Sequence, residues 1–168
     1  MGYSAGNVAL LERATIVNLF GAVAPSSATV QRVSMKHFER CTFIITQNKS
    51  AGNGAAISMN QCQDVSGTGG KTLPFTEAYR SLANGTQASP VNTWAKFTVS
   101  SDTFTTDATN SVRDAYAIDV TRDMLDFDNG FDCIELEIGN AASNVISAIA
   151  ILEGARNMGF PTDNAITN

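Results

Sequence analysis

Residues 65–75, VSGTGGKTLPF, are the part of the sequence that most resembles a phosphate-binding loop. A P-loop needs Gly, four residues of any kind, Gly, Lys and then Ser or Thr, because its backbone amides wrap the phosphates while the lysine reaches their outer oxygens. Residues 70–72 match the second half, and AYAID at residues 115–119 could supply the strand that ends in Asp. However, Val65 replaces the first glycine, and the preceding run AISMNQCQD is half polar, unlike a buried parallel strand. We therefore expect a glycine-rich hairpin loop and no bound nucleotide.

The acidic segment DMLDFDNGFD, residues 123–132, raises the possibility of a calcium loop. In the helix-loop-helix calcium motif the glycine is the sixth loop residue and oxygen ligands occupy the first, third and fifth positions. Counting back from Gly130 places Leu125 first and Phe127 third, so the register fails. Calcium in another loop geometry stays open as an alternative, but we expect a tight DNG turn, with no metal and no cofactor.

His37 is the only histidine, and therefore the only base of the usual kind for a serine or cysteine nucleophile. It precedes a predicted strand in SMKHFERC, and no G-x-S-x-G motif occurs. Glu135 and Glu137 fall on the outward face of a predicted strand, where we expect solvated carboxylates rather than a glycosidase pair. We predict no catalytic residues and no enzymatic activity.

Cysteine usage and charge narrow the class of protein further. Cys41, Cys62 and Cys133 are odd in number and widely spaced, which favours buried free thiols over a disulfide framework or a zinc site. The net charge of −5 and the lack of a basic run argue against nucleic acid as a partner. Glu12 and Arg13 interrupt the apolar N-terminal run, and no stretch approaches a membrane span, so we expect neither a signal peptide nor a membrane partner. These features predict a soluble protein made in a reducing cytoplasm.

Alternating apolar and polar residues predict an all-β fold. Residues 40–47, RCTFIITQ, and 56–63, AISMNQCQ, are two such runs, and the Asn- and Gly-rich turn between them predicts a hairpin. The best helix candidate by propensity is FTEAYRSLANG, residues 75–85, with a loop insertion as the alternative. Further strands are predicted at residues 94–100, 115–120, 131–139 and 144–155.

This pattern predicts an antiparallel β-sandwich or jelly roll. Its expected bounds are residues 29–156, with an extended N-terminal arm at residues 1–28 and a short C-terminal tail at residues 157–168. The arm carries apolar patches, VALL and TIVNLF, and an apolar arm outside a core is unfavourable in a monomer. We expect it either to lie on a neighbouring subunit or to complete the edge of the sandwich.

The order of strands and turns resembles the small virion structural proteins of tailed bacteriophages, in particular the capsid decoration or cement proteins. The resemblance covers about residues 30–157 and lies in the successive runs VSMKHFERCTFIITQNKSAGNGAAISMNQCQDVSGTGGKTLPF, WAKFTVSSDTFT, AYAIDVTRDMLDFDNGFDCIELEIGNA and VISAIAILEGARN. No short diagnostic motif carries it.

That resemblance implies binding without chemistry. Proteins of this kind sit on the outer surface of the capsid, often as trimers, and clamp neighbouring major capsid proteins together. The implied partners are the major capsid protein and further copies of the chain, and the implied location is the virion. We expect capsid or subunit contacts from apolar residues of the arm and tail: Val8, Leu10, Leu11, Ile16, Val17, Leu19, Phe20, Met158 and Phe160.

Two other functions remain open at this stage. One is another structural position in the same particle, such as a head-tail connector or a tail-tube subunit. The other is a carbohydrate-binding or hydrolytic β-sandwich, which would need exposed aromatic side chains near carboxylates. Only Trp94 and three tyrosines are available for that role.

Overall fold

The computed structural model describes residues 13–49, 54–81, 94–100, 102–107, 113–142 and 144–155. This part of the chain is built almost entirely of strands, and two 3-10 turns, Arg122–Met124 and Phe127–Asn129, are its only other regular elements. The strands are β1 Ala14–Val23, β2 Thr29–Ser34, β3 Arg40–Lys49, β4 Ala56–Cys62, β5 Lys71–Thr72, β6 Glu77–Ser81, β7 Trp94–Thr98, β8 Thr103–Thr105, β9 Arg113–Thr121, β10 Cys133–Ile138 and β11 Asn144–Glu153. Within these ranges, no helix is long and apolar enough to cross a membrane.

The strands form two antiparallel sheets that pack as a sandwich. The six-stranded sheet has the order β1-β11-β3-β9-β6-β7, and the five-stranded sheet has the order β2-β10-β4-β5, with β8 also paired to β4. The pairs are nested: β1 pairs with β11, β2 with β10, β3 with β9, and β4 with β5 at the tip. Such nested pairing, with successive strands β1 to β4 alternating between the sheets, is that of a jelly roll. The predicted antiparallel jelly-roll-like sandwich is confirmed.

Alternation along the strands supplies the core between the sheets. On β3, Cys41, Phe43 and Ile45 are fully buried, while the residues between them are partly exposed. On β10, the apolar residues Ile134, Leu136 and Ile138 are likewise fully buried. These two sets belong to one hydrophobic cluster that joins the inner faces of the two sheets.

Two sequence-based predictions of local structure are wrong. The runs at residues 40–47 and 56–63 are both strands, but β3 and β4 lie in different sheets and do not form a hairpin. In the predicted helix at residues 75–85, residues 77–81 form β6, which pairs with β7 and β9. Tertiary pairing therefore overrides the helix propensity of this segment.

The expected N-terminal arm also needs correction, because most of its apolar patch belongs to the sandwich. β1 pairs with β11 from Ala14, opposite Glu153, to Val23, opposite Ile146. Val17, Leu19 and Phe20 are 8%, 6% and 3% exposed and belong to the hydrophobic core. Of the two alternatives for this segment, residues 14–23 complete the edge of the sheet. Residues 1–12 and 156–168, which include Val8, Leu10, Leu11, Met158 and Phe160, lie outside the described residues.

Candidate interaction surface

The outer face of the six-stranded sheet carries four of the five exposed large apolar side chains among the described residues. It is formed by residues that alternate with the buried ones, and their side chains are half-buried or exposed. We call this surface the outer A face. It consists of Ile16 and Asn18 on β1, Val145, Ser147, Ile149 and Ile151 on β11, Thr42, Ile44 and Thr46 on β3, Ala115 and Ala117 on β9, Tyr79 on β6, and Trp94 and Lys96 on β7.

A single row of side chains crosses all six strands of this face. The register places Ile149 opposite Ile44, Ile44 opposite Ala117, and Ala117 opposite Tyr79. The ends of the row are polar, with Asn18 next to Ile149 and Lys96 next to Tyr79. A parallel row begins with Ile16 opposite Ile151. A continuous apolar strip therefore crosses β11, β3, β9 and β6 on the outer A face, while charged groups lie beside it and at its β7 end.

Aromatic side chains mark the β6–β7 end of the face. Tyr79 is 36% exposed and Trp94 is 47% exposed. Tyr79 lies opposite Lys96 and Ser81 lies opposite Trp94, so the two aromatic residues are diagonal neighbours on adjacent strands. Beside them Lys96 donates a hydrogen bond to Glu77 at 2.8 Å, and this bond raises the pKa of the Lys96 ammonium.

An ion pair joins the two central strands of the sheet, β3 and β9, on the same face. Arg40 on β3 is a diagonal neighbour of Asp119 on β9 and binds it with both its Nε and Nη2 groups. Thr42 donates a further hydrogen bond to the same carboxylate at 2.5 Å. Partial burial opposes ionisation of Asp119, but the hydrogen bonds from Arg40 and Thr42 outweigh it and lower the pKa of this carboxyl group. Asp119, the last residue of AYAID, therefore forms a structural ion pair with Arg40 of the same sheet.

The outer face of the five-stranded sheet is polar and differs clearly from the outer A face. Arg32 on β2 pairs with Glu135 on β10 at 2.5 Å, and Asn60 on β4 donates to the other carboxylate oxygen at 2.9 Å. Glu135 is only 9% exposed, so the prediction of a solvated carboxylate is wrong for this residue. Alternation placed it outward correctly, but the β4–β5 loop folds over this face: a Cβ atom on Gly67 would lie 2.6 Å from the Arg32 guanidinium carbon.

The P-loop-like segment forms that same β4–β5 loop. It joins two antiparallel strands, with Asn60 opposite Thr72, as expected for a hairpin. The carboxylate of Asp64 accepts hydrogen bonds from the backbone N–H groups of Ser66 and Thr68 at 2.8 and 3.1 Å, which closes the turn. Lys71 is engaged by the carboxylate of Asp126, and its Nζ lies 3.9 Å from the centre of the Phe131 ring. The lysine is thus part of a structural ion pair, and the predicted hairpin loop is confirmed.

The acidic segment forms the two 3-10 turns and the turn into β10. Gly130 adopts a left-handed conformation, with φ of 83°, and ends the second turn, as predicted for the DNG sequence. The Asp126 carboxylate accepts hydrogen bonds from Lys71 and from Asn129, and these contacts lower the pKa of this carboxyl group. Across the described ranges, no group of three or more His, Cys, Asp and Glu side chains is arranged to hold a metal ion.

A buried polar network closes the end of the sandwich near β9. Arg80 on β6 pairs with Asp107 at 2.7 Å and with Asp114 at 3.2 Å. The Tyr116 hydroxyl accepts a hydrogen bond from the backbone N–H of Asp107 at 2.8 Å, and burial raises the pKa of Tyr116 to about 12. Thr106 links this region to Gln47 through a 2.6 Å hydrogen bond. These contacts link β6 and β9 to residues 106–107 at this end of the sandwich.

The structure places one of the predicted contact residues on the surface and three in the core. Ile16 is 41% exposed on the outer A face, whereas Val17, Leu19 and Phe20 are buried and cannot contact a partner in this fold. Sequence reasoning missed Ile44, Ile149 and Ile151 as surface residues. The signal was the presence of apolar residues on both faces of β3 and β11, which is unusual for a strand with a solvated side. The three cysteines are free and buried, as predicted.

Comparisons with known proteins give structural similarities of low strength. No protein-family model matches the chain, and no curated protein is significantly similar to it. Among solved structures, the SPBc2 prophage-derived protein YomS matches with a TM-score of 0.42 and 10% identity, covering 83% of this chain and 93% of that chain. A CBM4 structure matches with a TM-score of 0.32 and 7% identity, covering 84% of this chain and 70% of that one. The tobacco streak virus coat protein matches with a TM-score of 0.28 and 12% identity, covering 93% and 96%. With TM-scores below 0.5, these similarities assign neither a family nor a function.

Proposed function

We propose that this chain is a non-enzymatic structural protein of a bacteriophage particle. Its specific role is that of a decoration or cement protein, which binds the outer surface of the capsid and stabilises the head. The location is the virion, and the partners are the major capsid protein and further copies of the chain, with a trimer favoured. The proposal rests on the resemblance in the order of strands and turns, together with the surface described above.

The outer A face is the observation that carries the proposal. Strands are spaced about 4.8 Å apart. Four strands of this sheet have nine or ten residues and are about 30 Å long, while β6 and β7 have five residues and are about 17 Å long, so the face measures roughly 700 Å². A stable interface needs about that area on each partner. The face has an apolar middle, a polar margin and exposed Tyr79 and Trp94, which is the distribution found in protein interfaces.

The position of the two chain ends supports the same role. Because Ala14 lies opposite Glu153, residues that precede β1 and follow β11 join the sandwich at the same end of neighbouring strands. The described part of the chain therefore begins and ends on neighbouring strands, next to the Ile16–Ile151 pair of the outer A face. On this proposal, Val8, Leu10, Leu11, Met158 and Phe160 make further contacts with the same partner. Several weak contacts made at once by each of several linked copies add up to stable attachment.

The test is binding of the purified protein to expanded, DNA-free capsids, measured by co-sedimentation and by the melting temperature of the capsid. We expect a fixed ratio of bound protein to capsid protein and a higher melting temperature. Ile44→Lys places a charge in the middle of the outer A face and should weaken binding at least tenfold. Val30→Lys is the matched control, since Val30 is a 36% exposed β-branched residue on the opposite sheet, and it should bind as the wild type does.

Equal binding by the Ile44→Lys and Val30→Lys proteins, both folded, would exclude the outer A face as the docking surface. Assembly of the purified protein alone into rings or tubes would instead favour a connector or tail-tube subunit. Deletion of residues 1–12 tests the contribution of the N-terminal segment, and we expect it to lower the affinity while the sandwich stays folded.

Carbohydrate binding is a second candidate, which one observation favours. Tyr79 and Trp94 present exposed rings on the same face of neighbouring strands, next to the Glu77 carboxylate. Flat aromatic surfaces beside hydrogen-bonding groups suit the apolar face of a sugar ring. Trp94→Ala should abolish retention on polysaccharide affinity gels if this role applies. The capsid role predicts no retention of the wild-type protein on such gels.

A further inference from the structure

Two of the three cysteines lie opposite each other on neighbouring strands of the five-stranded sheet. Cys62 on β4 lies directly opposite Cys133 on β10 in the antiparallel register. Both side chains point to the outer face, because the neighbouring Gln61 and Ile134 point to the core and are 6% and 0% exposed. Cys41 belongs to β3 in the other sheet. The proposed docking role uses none of these thiols.

The backbone geometry of this pair allows a disulfide. Gly139 donates a hydrogen bond to the carbonyl oxygen of Ala56 at 2.8 Å, one position beyond the Ile138–Ile57 pair. Hydrogen-bonded and non-hydrogen-bonded pairs alternate, so the Cys133–Cys62 pair, six positions away, is also hydrogen-bonded and its Cα atoms are about 5.5 Å apart. Disulfides span Cα separations of about 4.4 to 6.8 Å. The Cβ atoms of cross-strand pairs lie somewhat farther apart than in a relaxed disulfide, so the bond would be strained and easily reduced.

Both thiols are buried on the outer side of the sheet, where a short loop lies against one of them. Cys62 and Cys133 are 1% and 2% exposed. The β4–β5 loop lies against Cys62: a Cβ atom on Gly70 would be 3.8 Å from the Cys62 Sγ atom. The Cys133 thiol donates a hydrogen bond to the carboxylate of Asp132 at 3.2 Å. A reagent therefore needs displacement of this loop, which is a smaller change than unfolding of the sandwich.

We propose that Cys62 and Cys133 are a modification site, at which a low-molecular-weight disulfide such as oxidised glutathione forms a reversible cross-strand disulfide. One thiolate attacks the reagent, forms a mixed disulfide and releases one glutathione thiolate. The second thiolate then attacks the sulfur of the first cysteine and releases the other glutathione. The two protein thiols lose two protons and two electrons in total, and the disulfide bond of the reagent is reduced to two thiols.

The raised pKa of the thiols sets the rate of this reaction, and the compartment in which the protein is found sets when it occurs. Burial raises the pKa of both thiols, to about 12 for Cys133, so the reaction is slow at neutral pH. Its rate should rise about tenfold per pH unit, because the thiolate fraction does so below the pKa. On the proposed role, the protein leaves the reducing cytoplasm with the particle, and the disulfide forms outside the cell. This timing rests on the proposed function, whereas the linkage itself does not.

The experiment is incubation of the folded protein with oxidised glutathione between pH 7.5 and pH 9.5, followed by acid quench, intact mass measurement and peptide mapping under non-reducing conditions. We expect a loss of two hydrogen atoms from the intact mass, a linked Cys62–Cys133 peptide, a free Cys41, and full reversal by dithiothreitol. The Cys41→Ser protein should behave in the same way. The Cys62→Ser and Cys133→Ser proteins should stop at a single glutathione adduct.

Two results would overturn the proposal. One is a folded wild-type protein that carries separate glutathione adducts on Cys62 and Cys133 with no linked peptide. The other is a folded protein whose thiols stay unmodified at pH 9.5, while the same reagent modifies all three thiols in urea. Failure of capsid binding leaves this chemistry untouched, so the two proposals are tested separately.

Discussion

Arg80 on β6 pairs with Asp114 on β9 at 3.2 Å, and the Asp114 side chain is only 1% exposed. The same guanidinium group also pairs with Asp107 at 2.7 Å. Removing the cation leaves a buried carboxylate without this charge partner, which is costly, although the intact pair itself need not add net stability. We expect Arg80→Ala to lower the free energy of unfolding by about 3 kcal/mol. Urea denaturation followed by far-UV circular dichroism measures this change.

Lys96→Ala is the control for that measurement. Lys96 also pairs with a carboxylate on a neighbouring strand, but both partners are more than half exposed, at 55% and 54%. Exposed ion pairs contribute little to stability, so the unfolding midpoint should hardly move. Equal effects of the two substitutions would mean that burial of Asp114 does not determine the cost.

Tyr116 predicts a loss of stability at alkaline pH. Burial raises its pKa to about 12, above the ordinary value of 10.0. Between these values the unfolded chain releases the phenolic proton while the folded protein keeps it, so the free energy of unfolding falls as the pH rises from about 10 to about 12. Below pH 10 this contribution is fully present.

Tyr116→Phe removes this titrating group and should flatten that part of the pH profile, measured by urea denaturation at each pH. The variant also loses the hydrogen bond from the Asp107 N–H, so it should be less stable than the wild type at pH 8. Cys133 titrates in an overlapping range, and Cys133→Ser serves as a second reference. Parallel profiles for wild type and Tyr116→Phe between pH 10 and 12 would contradict the prediction.

The sequence predicts β3, β4, β9, β10 and β11 because each has one buried face, but it does not predict how they pair. Alternation is a local signal, whereas the jelly roll joins Ala14 to Glu153, at opposite ends of the described chain. The neighbouring runs β3 and β4 therefore looked like a hairpin, although they belong to different sheets. The outward position of Glu135 was predictable, but its burial under the β4–β5 loop was not, since a covering loop leaves no periodic pattern.

β1 was missed for a different physical reason, namely a break in its alternation. The register with β11 shifts between Asn18 and Phe20 and again between Phe20 and Val23. At these irregularities Leu19 and Phe20 are both buried, so the run lacks the strict period of two. Without that period, the sequence does not identify this segment as a strand. The outer A face is equally hard to predict, because outward-facing isoleucines in a strand look like core residues.

The role of β1 in the sandwich can be tested at Phe20. This side chain is 3% exposed within the core, so Phe20→Ala should cost about 3 to 5 kcal/mol. Ile16→Ala is the matched control on the same strand, since Ile16 is 41% exposed, and it should change the free energy of unfolding by less than about 1 kcal/mol. Thermal and urea denaturation give both values. A mild effect of Phe20→Ala would support an arm that is independent of the core.

Gly67 is the residue at which substitution in the β4–β5 loop should destabilise the protein. Its φ is +89°, and a Cβ atom would lie 2.6 Å from the Arg32 guanidinium carbon. Gly67→Ala therefore combines backbone strain with displacement of Arg32 from Glu135, and we expect a loss of about 1 to 3 kcal/mol. Gly21→Ala is the control, because nothing lies within 4 Å of the added Cβ atom there, and it should be neutral or slightly stabilising. Urea denaturation of both variants gives the comparison. If Gly67→Ala is as stable as Gly21→Ala, the loop does not depend on this conformation, and its close packing on Arg32 is not needed to hold it over the sheet.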